Sequence, residues 1–134
     1  MSNLSAFLNP IPAEQKEIVV SNRFVGENGE PVPFKIRPLT QEENEALVRA
    51  ATIKRKGPNG YTQEFDRQRY SRSVVVSATV YPDFRSTELC EGYGVLDPLL
   101  VPGRMLYAGE YQKLSDAIAE LSGISDDAEG EAKN

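Results

Sequence analysis

The stretch "VGENGEPVPFKIRPLTQEEN", residues 25–44, holds a turn, a strand and a helix start in direct succession. Asn28-Gly29 is a strong hairpin dipeptide, because both positions tolerate positive φ. Before it, "EIVVSNRF" (residues 17–24) places Ile18, Val20 and Phe24 on one face, with polar Asn22 interrupting. After it, "VPFKIR" alternates Phe34 and Ile36 with Lys35 and Arg37. Such alternation is the period of a half-buried strand, so the stretch predicts a β-hairpin. Pro31 and Pro33 cannot donate to a ladder, which predicts an edge position for the second strand. Pro38 ends that strand. "TQEE" then reads as a capping box, Thr40 and Glu43 satisfying each other's free amides.

Working outward, Glu42, Glu43 and Glu45 sit where a helix dipole favours anions, and Lys54, Arg55 and Lys56 sit where it favours cations. This predicts a helix over about 41–56, followed by a turn at "GPNGY" (57–61). Residues 62–81, "TQEFDRQRYSRSVVVSATVY", repeat Phe65, Tyr70, Val74, Ala78 and Tyr81 near helical spacing. The β-branched "SVVVSATV" taken alone suits a strand. The unbroken polar start and the stop at Pro82 favour a helix. "DFRSTELCEGYGV" predicts a turn and a short helix capped by Ser86 or Thr87 and stopped at Gly94. Asp97 and Pro98 start another helix, with Pro102-Gly103 interrupting it. Tyr111, Leu114, Ile118 and Leu121 predict a last amphipathic helix closed by Gly123.

Toward the start, Leu4, Phe7 and Leu8 have helical spacing, and Pro10 and Pro12 stop the turn. Residues 1–16 are expected to be a flexible leader. Residues 125–134, "SDDAEGEAKN", are expected to be a disordered acidic tail. The fold class is therefore α+β: an N-terminal β-hairpin followed by a mainly α-helical bundle of about four helices, as one domain over 17–124.

The chain has 134 residues, 40% of them hydrophobic, and a net charge of −5. That suits one domain with its own core. A net-acidic chain fits phosphate backbones poorly, since their affinity comes from Lys and Arg, so no nucleic-acid partner is expected. No apolar run approaches a membrane span, and the first residues lack a secretory-signal pattern. There is no histidine and one cysteine. These counts exclude Ser-His and Cys-His nucleophiles and His- or Cys-built zinc sites. No cofactor or metal is expected, and no enzymatic activity.

Individual candidates reduce to structural roles. Lys54, Arg55, Lys56 and "GPNG" lack the spacing of a phosphate-binding loop and fit a helix end and turn. Arg67, Arg69 and Arg72 with Tyr61, Tyr70 and Tyr81 suggest an RNA surface, but Glu64 and Asp66 share the segment, and core packing with a charged solvated face is favoured. Cys90 lies between Glu88 and Glu91, which raise rather than lower a thiol pKa, so it is expected to be a small buried hydrophobe. Capping accounts for Glu42, Glu43 and Glu45. The corners "YPDF" (81–84) and "EGYGV" (91–95) read as chain reversals, at which an exposed aromatic such as Tyr93 would suit a protein contact.

Taken in order, these features resemble the phage XkdN-like tail assembly chaperone family of tailed phages and defective prophages of Gram-positive bacteria. The resemblance rests on "MSNLSAFL", "EIVVSNRFVGENGEPVPFKIRPLTQEENEAL", "GYTQEFDRQRYSRSVVVSATVYPDFRSTELCEGYGV" and "GEYQKLSDAIAELSG", from residue 1 to about 123. The chain departs from it at 97–109, where the family has a continuous Leu-rich helix. The resemblance implies a non-enzymatic protein of the host cytoplasm. Such a protein binds the aggregation-prone tape measure protein and keeps it soluble until tail tube protein polymerises around it. It also implies absence from the mature virion, and a longer product made by ribosomal frameshifting. For such a role, the leader residues Leu4, Phe7 and Leu8, the strand residues Phe34 and Ile36, and Tyr93 are the expected partner contacts. The competing expectation is a minor structural tail protein, a tube or baseplate adaptor, retained in the virion.

Overall fold

Lys16–Ile18 and Phe34–Ile36 pair antiparallel, but a long connection replaces the tight hairpin expected, and the second strand forms the centre of a sheet rather than its edge. The computed structural model of the chain describes residues 3–124. In chain order it contains α1 (Leu4–Leu8), β1 (Lys16–Ile18), β2 (Phe34–Ile36), α2 (Gln41–Ala50), β3 (Thr52–Gly57) and β4 (Gly60–Phe65). There follow α3 (Arg67–Ala78), β5 (Thr79–Tyr81), α4 (Thr87–Gly92), a 3-10 turn (Pro98–Leu100), α5 (Val101–Met105) and α6 (Ala108–Ser122). The expected acidic tail, 125–134, lies outside the described residues.

β2 pairs antiparallel with β1 on one side and with β5 on the other. The prolines do not prevent this, because both precede Phe34 and leave every strand amide free to pair. Between β1 and β2 the chain makes a long excursion with the predicted turn at its tip. Gly29 sits at φ +80°, Gly26 N–H donates to the Glu30 carbonyl at 2.9 Å, and Val32 N–H donates to the Phe24 carbonyl at 2.8 Å.

The core forms between this sheet and the helices. Phe34 and Ile36 are 2% and 0% exposed, and they share one core cluster with Val75 and Val76 of α3, Val101 of α5, and Leu114 and Ile118 of α6. The Phe34 ring lies 5.7 Å from that of Phe24 and 6.4 Å from that of Phe84, in the tilted geometry such pairs prefer. Cys90 is buried, as its acidic neighbourhood suggested, with its thiol 3.6 Å from the Phe84 carbonyl.

The Thr40–Glu43 capping box forms as read, with Glu43 N–H donating to Thr40 Oγ1 at 3.1 Å and Thr40 N–H donating to Glu43 Oε1 at 3.0 Å. The helix ends at Ala50, however, so Lys54, Arg55 and Lys56 stand in β3 and not in a last helical turn. The expected helix over 62–81 is likewise divided. Asp66 caps α3 by accepting from Arg69 N–H at 3.0 Å, the residues before it form β4, and Thr79–Tyr81 leave the helix to join β2. Pro102 does not interrupt α5 but stands in its first turn, where a missing amide leaves no helical bond unmade. The last helix follows its periodicity, with Leu114 and Ile118 inward and Gly123 at φ +74° as its terminus.

Candidate functional site

Three surfaces are unlike the rest of the molecule. The first is the leader. In α1, Leu4, Phe7 and Leu8 recur at i, i+3 and i+4 and form one apolar stripe, yet they are 60%, 79% and 70% exposed. Every described residue up to Glu17 is exposed. Asn9 ends the helix by donating both its backbone and its side-chain N–H to the Ser5 carbonyl. The stripe therefore faces solvent rather than the core.

The second is an apolar slot of about 400 Å³ beside the sheet. Phe34 and Met105 form its buried part, and Val25 and Tyr81 stand exposed at its rim. One wall is set by Arg23, which lies on the excursion between β1 and β2. Its guanidinium donates to both Glu110 oxygens, at 3.0 and 2.5 Å, and to the Met105 carbonyl at 3.2 Å. It also stacks over the rings of Phe24 and Tyr107. A bidentate Arg–carboxylate pair fixes geometry as well as charge, so this contact ties the excursion to the start of α6.

Two carboxylates are perturbed by such clamps. Glu43 is held at about 2, first by the Arg37 guanidinium and then by the Thr40 amide. Glu110 is also held at about 2, first by Arg23, then by the Ser21 hydroxyl and the Tyr107 amide. Both folded values lie below the ordinary 4.5. In the window between, the unfolded chain binds more protons than the folded one, so stability rises with pH there. The clamps are fully stabilising above 4.5 and are lost as pH falls toward 2. Urea midpoints measured across that window should fall with acidification. The fall should be shallower in Glu43→Gln and Glu110→Gln; an unchanged slope in both variants would contradict the assignment.

The third surface is the antiparallel pair β3–β4, in register from Thr52↔Phe65 to Gly57↔Gly60. From Ile53 to Phe65 every residue is exposed, Tyr61 at 71%. It belongs to neither the main sheet nor the core. It is an arm, anchored at its base where the Phe65 ring meets Tyr70 and Thr52 Oγ1 donates to the Val48 carbonyl.

The sequence-expected contacts divide among these environments. Leu4, Phe7 and Leu8 are solvent-facing. Phe34 and Ile36 are core residues, because the strand carrying them is central and its side chains point into the helices. Phe34 alone of the two reaches a surface, as part of the slot. Tyr93 is half-buried against the core, and its backbone carbonyl accepts from Arg104 at 3.1 Å. Tyr61 and Tyr81, expected mainly on an apolar face, are instead exposed; Tyr61 stands in β4 rather than in a turn, and Tyr81 in β5 rather than in the long helix expected. The turn at "GPNG" was read, but the two strands it joins were missed.

The phage XkdN-like tail assembly chaperone proteins, as a family, match this chain over residues 4–133. The chain belongs to that family. Among its relatives is the phage-like element PBSX protein XkdN of Bacillus subtilis strain 168, 36% identical over 139 residues, which cover 98% of this chain and 94% of that protein. A second relative from the same strain, the uncharacterized protein YqbN, is 37% identical over 131 residues, 95% of this chain and 88% of that one. The crystal structure of YqbN superposes with a TM-score of 0.79 at 32% identity, covering 93% of this chain and 99% of the other. Membership of a tail assembly chaperone family points to phage tail proteins as partners and to a non-enzymatic role. No helix among the described residues is long and apolar enough to cross a membrane.

Proposed function

We propose that the protein binds the tape measure protein of its phage or prophage and holds it soluble in the host cytoplasm until tail tube subunits assemble around it. Family membership along nearly the whole chain carries the assembly role. The solvent-exposed stripe of Leu4, Phe7 and Leu8 supports the client. A tape measure protein is a long helical chain with apolar stripes, and a small amphipathic helix can lay its apolar face against such a stripe. A net charge of −5 keeps the complex soluble. The slot beside Arg23 offers room for a partner side chain.

A chaperone leaves when assembly ends, whereas an adaptor stays. Mass spectrometry of purified particles should detect tube and tape measure peptides and none from this chain. Detection at a stoichiometry comparable to the tube or baseplate subunits would make the protein a minor structural component instead.

A further inference from the structure

The β3–β4 arm has a chemistry that the fold does not use. β3 pairs only with β4, so among the described residues its outer edge carries unpaired backbone amides and carbonyls. Exposed edges of this kind accept another strand unless they are guarded, and edge lysines guard against any strand that brings them no opposite charge. This edge bears three adjacent cations, Lys54, Arg55 and Lys56, on a chain that is acidic overall. Side chains alternate across a strand, so Arg55 lies on one face, where it pairs with Glu64. Lys54 and Lys56 lie on the other, the face that also bears exposed Tyr61 and Phe65. Among the described residues neither lysine makes an ion pair.

We infer that the outer edge of β3 receives an extended, acidic segment of a protein partner, which adds a strand to the arm and sets carboxylates opposite Lys54 and Lys56. Charge complementarity selects this occupant. A second copy pairing β3 to β3 would set cation against cation, and like charges directly opposite destabilise a ladder. A nucleic acid would match the charges but has no backbone to complete the ladder, and the acidic body repels it. The alternation also states a pattern: Lys54 and Lys56 are two residues apart, so the partner segment carries carboxylates at every second position. The inference rests on the chaperone reading only in making the partner a protein.

The test uses the full chain and a fluorescent peptide of alternating Glu and Val, followed by anisotropy at low and high salt. Binding is expected to weaken with salt and to drop by about tenfold or more in the Lys54→Glu/Lys56→Glu variant. An intermediate loss is expected in Lys54→Gln/Lys56→Gln, and unchanged circular dichroism in both, since the side chains are exposed. An alternating Lys-Val peptide should not bind. Four results would each overturn the inference: no binding of the Glu-Val peptide, equal binding by the variants, equal binding of the Lys-Val peptide, or an oligo-dT strand that displaces the peptide. Sedimentation of the unmodified chain as a dimer that the Glu variant abolishes would also overturn it, in favour of a second copy. The same variants co-expressed with the tape measure protein separate the two readings, because solubilisation by the unmodified chain stands or falls independently of the peptide result.

Discussion

Replacing Phe34 by Ala is expected to destabilise the protein by about 3–5 kcal/mol. The ring is 2% exposed at the start of β2, the central strand, between the rings of Phe24 and Phe84. Its removal forfeits the transfer free energy of a large apolar group and leaves a cavity that a three-stranded sheet clamped by helices cannot fill. Domains of this size are stable by only about 5–15 kcal/mol, so the variant should be marginal at physiological temperature. Urea unfolding checks this: the midpoint should fall while the slope is kept. A loss below about 1 kcal/mol, the range of many surface substitutions, would mean that Phe34 is a contact residue after all. The experiment therefore decides between two readings of one side chain, a partner-facing edge and a core.

The paired substitution Phe7→Ser and Leu8→Ser has the opposite signature. Both side chains are exposed in α1, so stability should change by no more than about 0.5 kcal/mol for each. Capture of a tape measure protein should fall steeply. Burying a Phe or Leu side chain is worth about 1.5–3 kcal/mol, so losing two docked residues should weaken binding at least a hundredfold. Titration of purified chain against a soluble apolar-striped fragment of the client measures this. Unchanged affinity would remove the leader from the binding surface and leave the slot beside Arg23 as the next candidate.

What could be read in the sequence, and what could not, follows from which residues face the core. The capping box, the Asn28-Gly29 turn and α6 were legible because each is written locally: a cap in the four residues "TQEE", a turn in two, a helix in the spacing of Leu114 and Ile118. The central place of β2 was not legible. The strand that covers its second side, Thr79–Tyr81, lies more than forty residues away and continues a helix with no breaker between them. Of the β3–β4 arm only the turn was legible, for a different reason. Both of its faces are solvated, so no apolar alternation marks it, and Lys54 to Lys56 matched what a helix C-terminus requires. The same feature that hid the arm, a strand edge of charged residues with nothing packed on it, makes it a candidate for binding. Tyr93 directly follows the short helix α4 and packs in part against the core.

The most direct measurement of the central claim is co-expression of this chain with the tape measure protein encoded beside it, followed by fractionation and pull-down. The tape measure protein is expected to move from the pellet into the soluble fraction and to co-purify with the chain, and the Phe7→Ser/Leu8→Ser variant is expected to lose both effects. A tape measure protein that stays in the pellet, with nothing captured by a folded and abundant chain, would contradict the account.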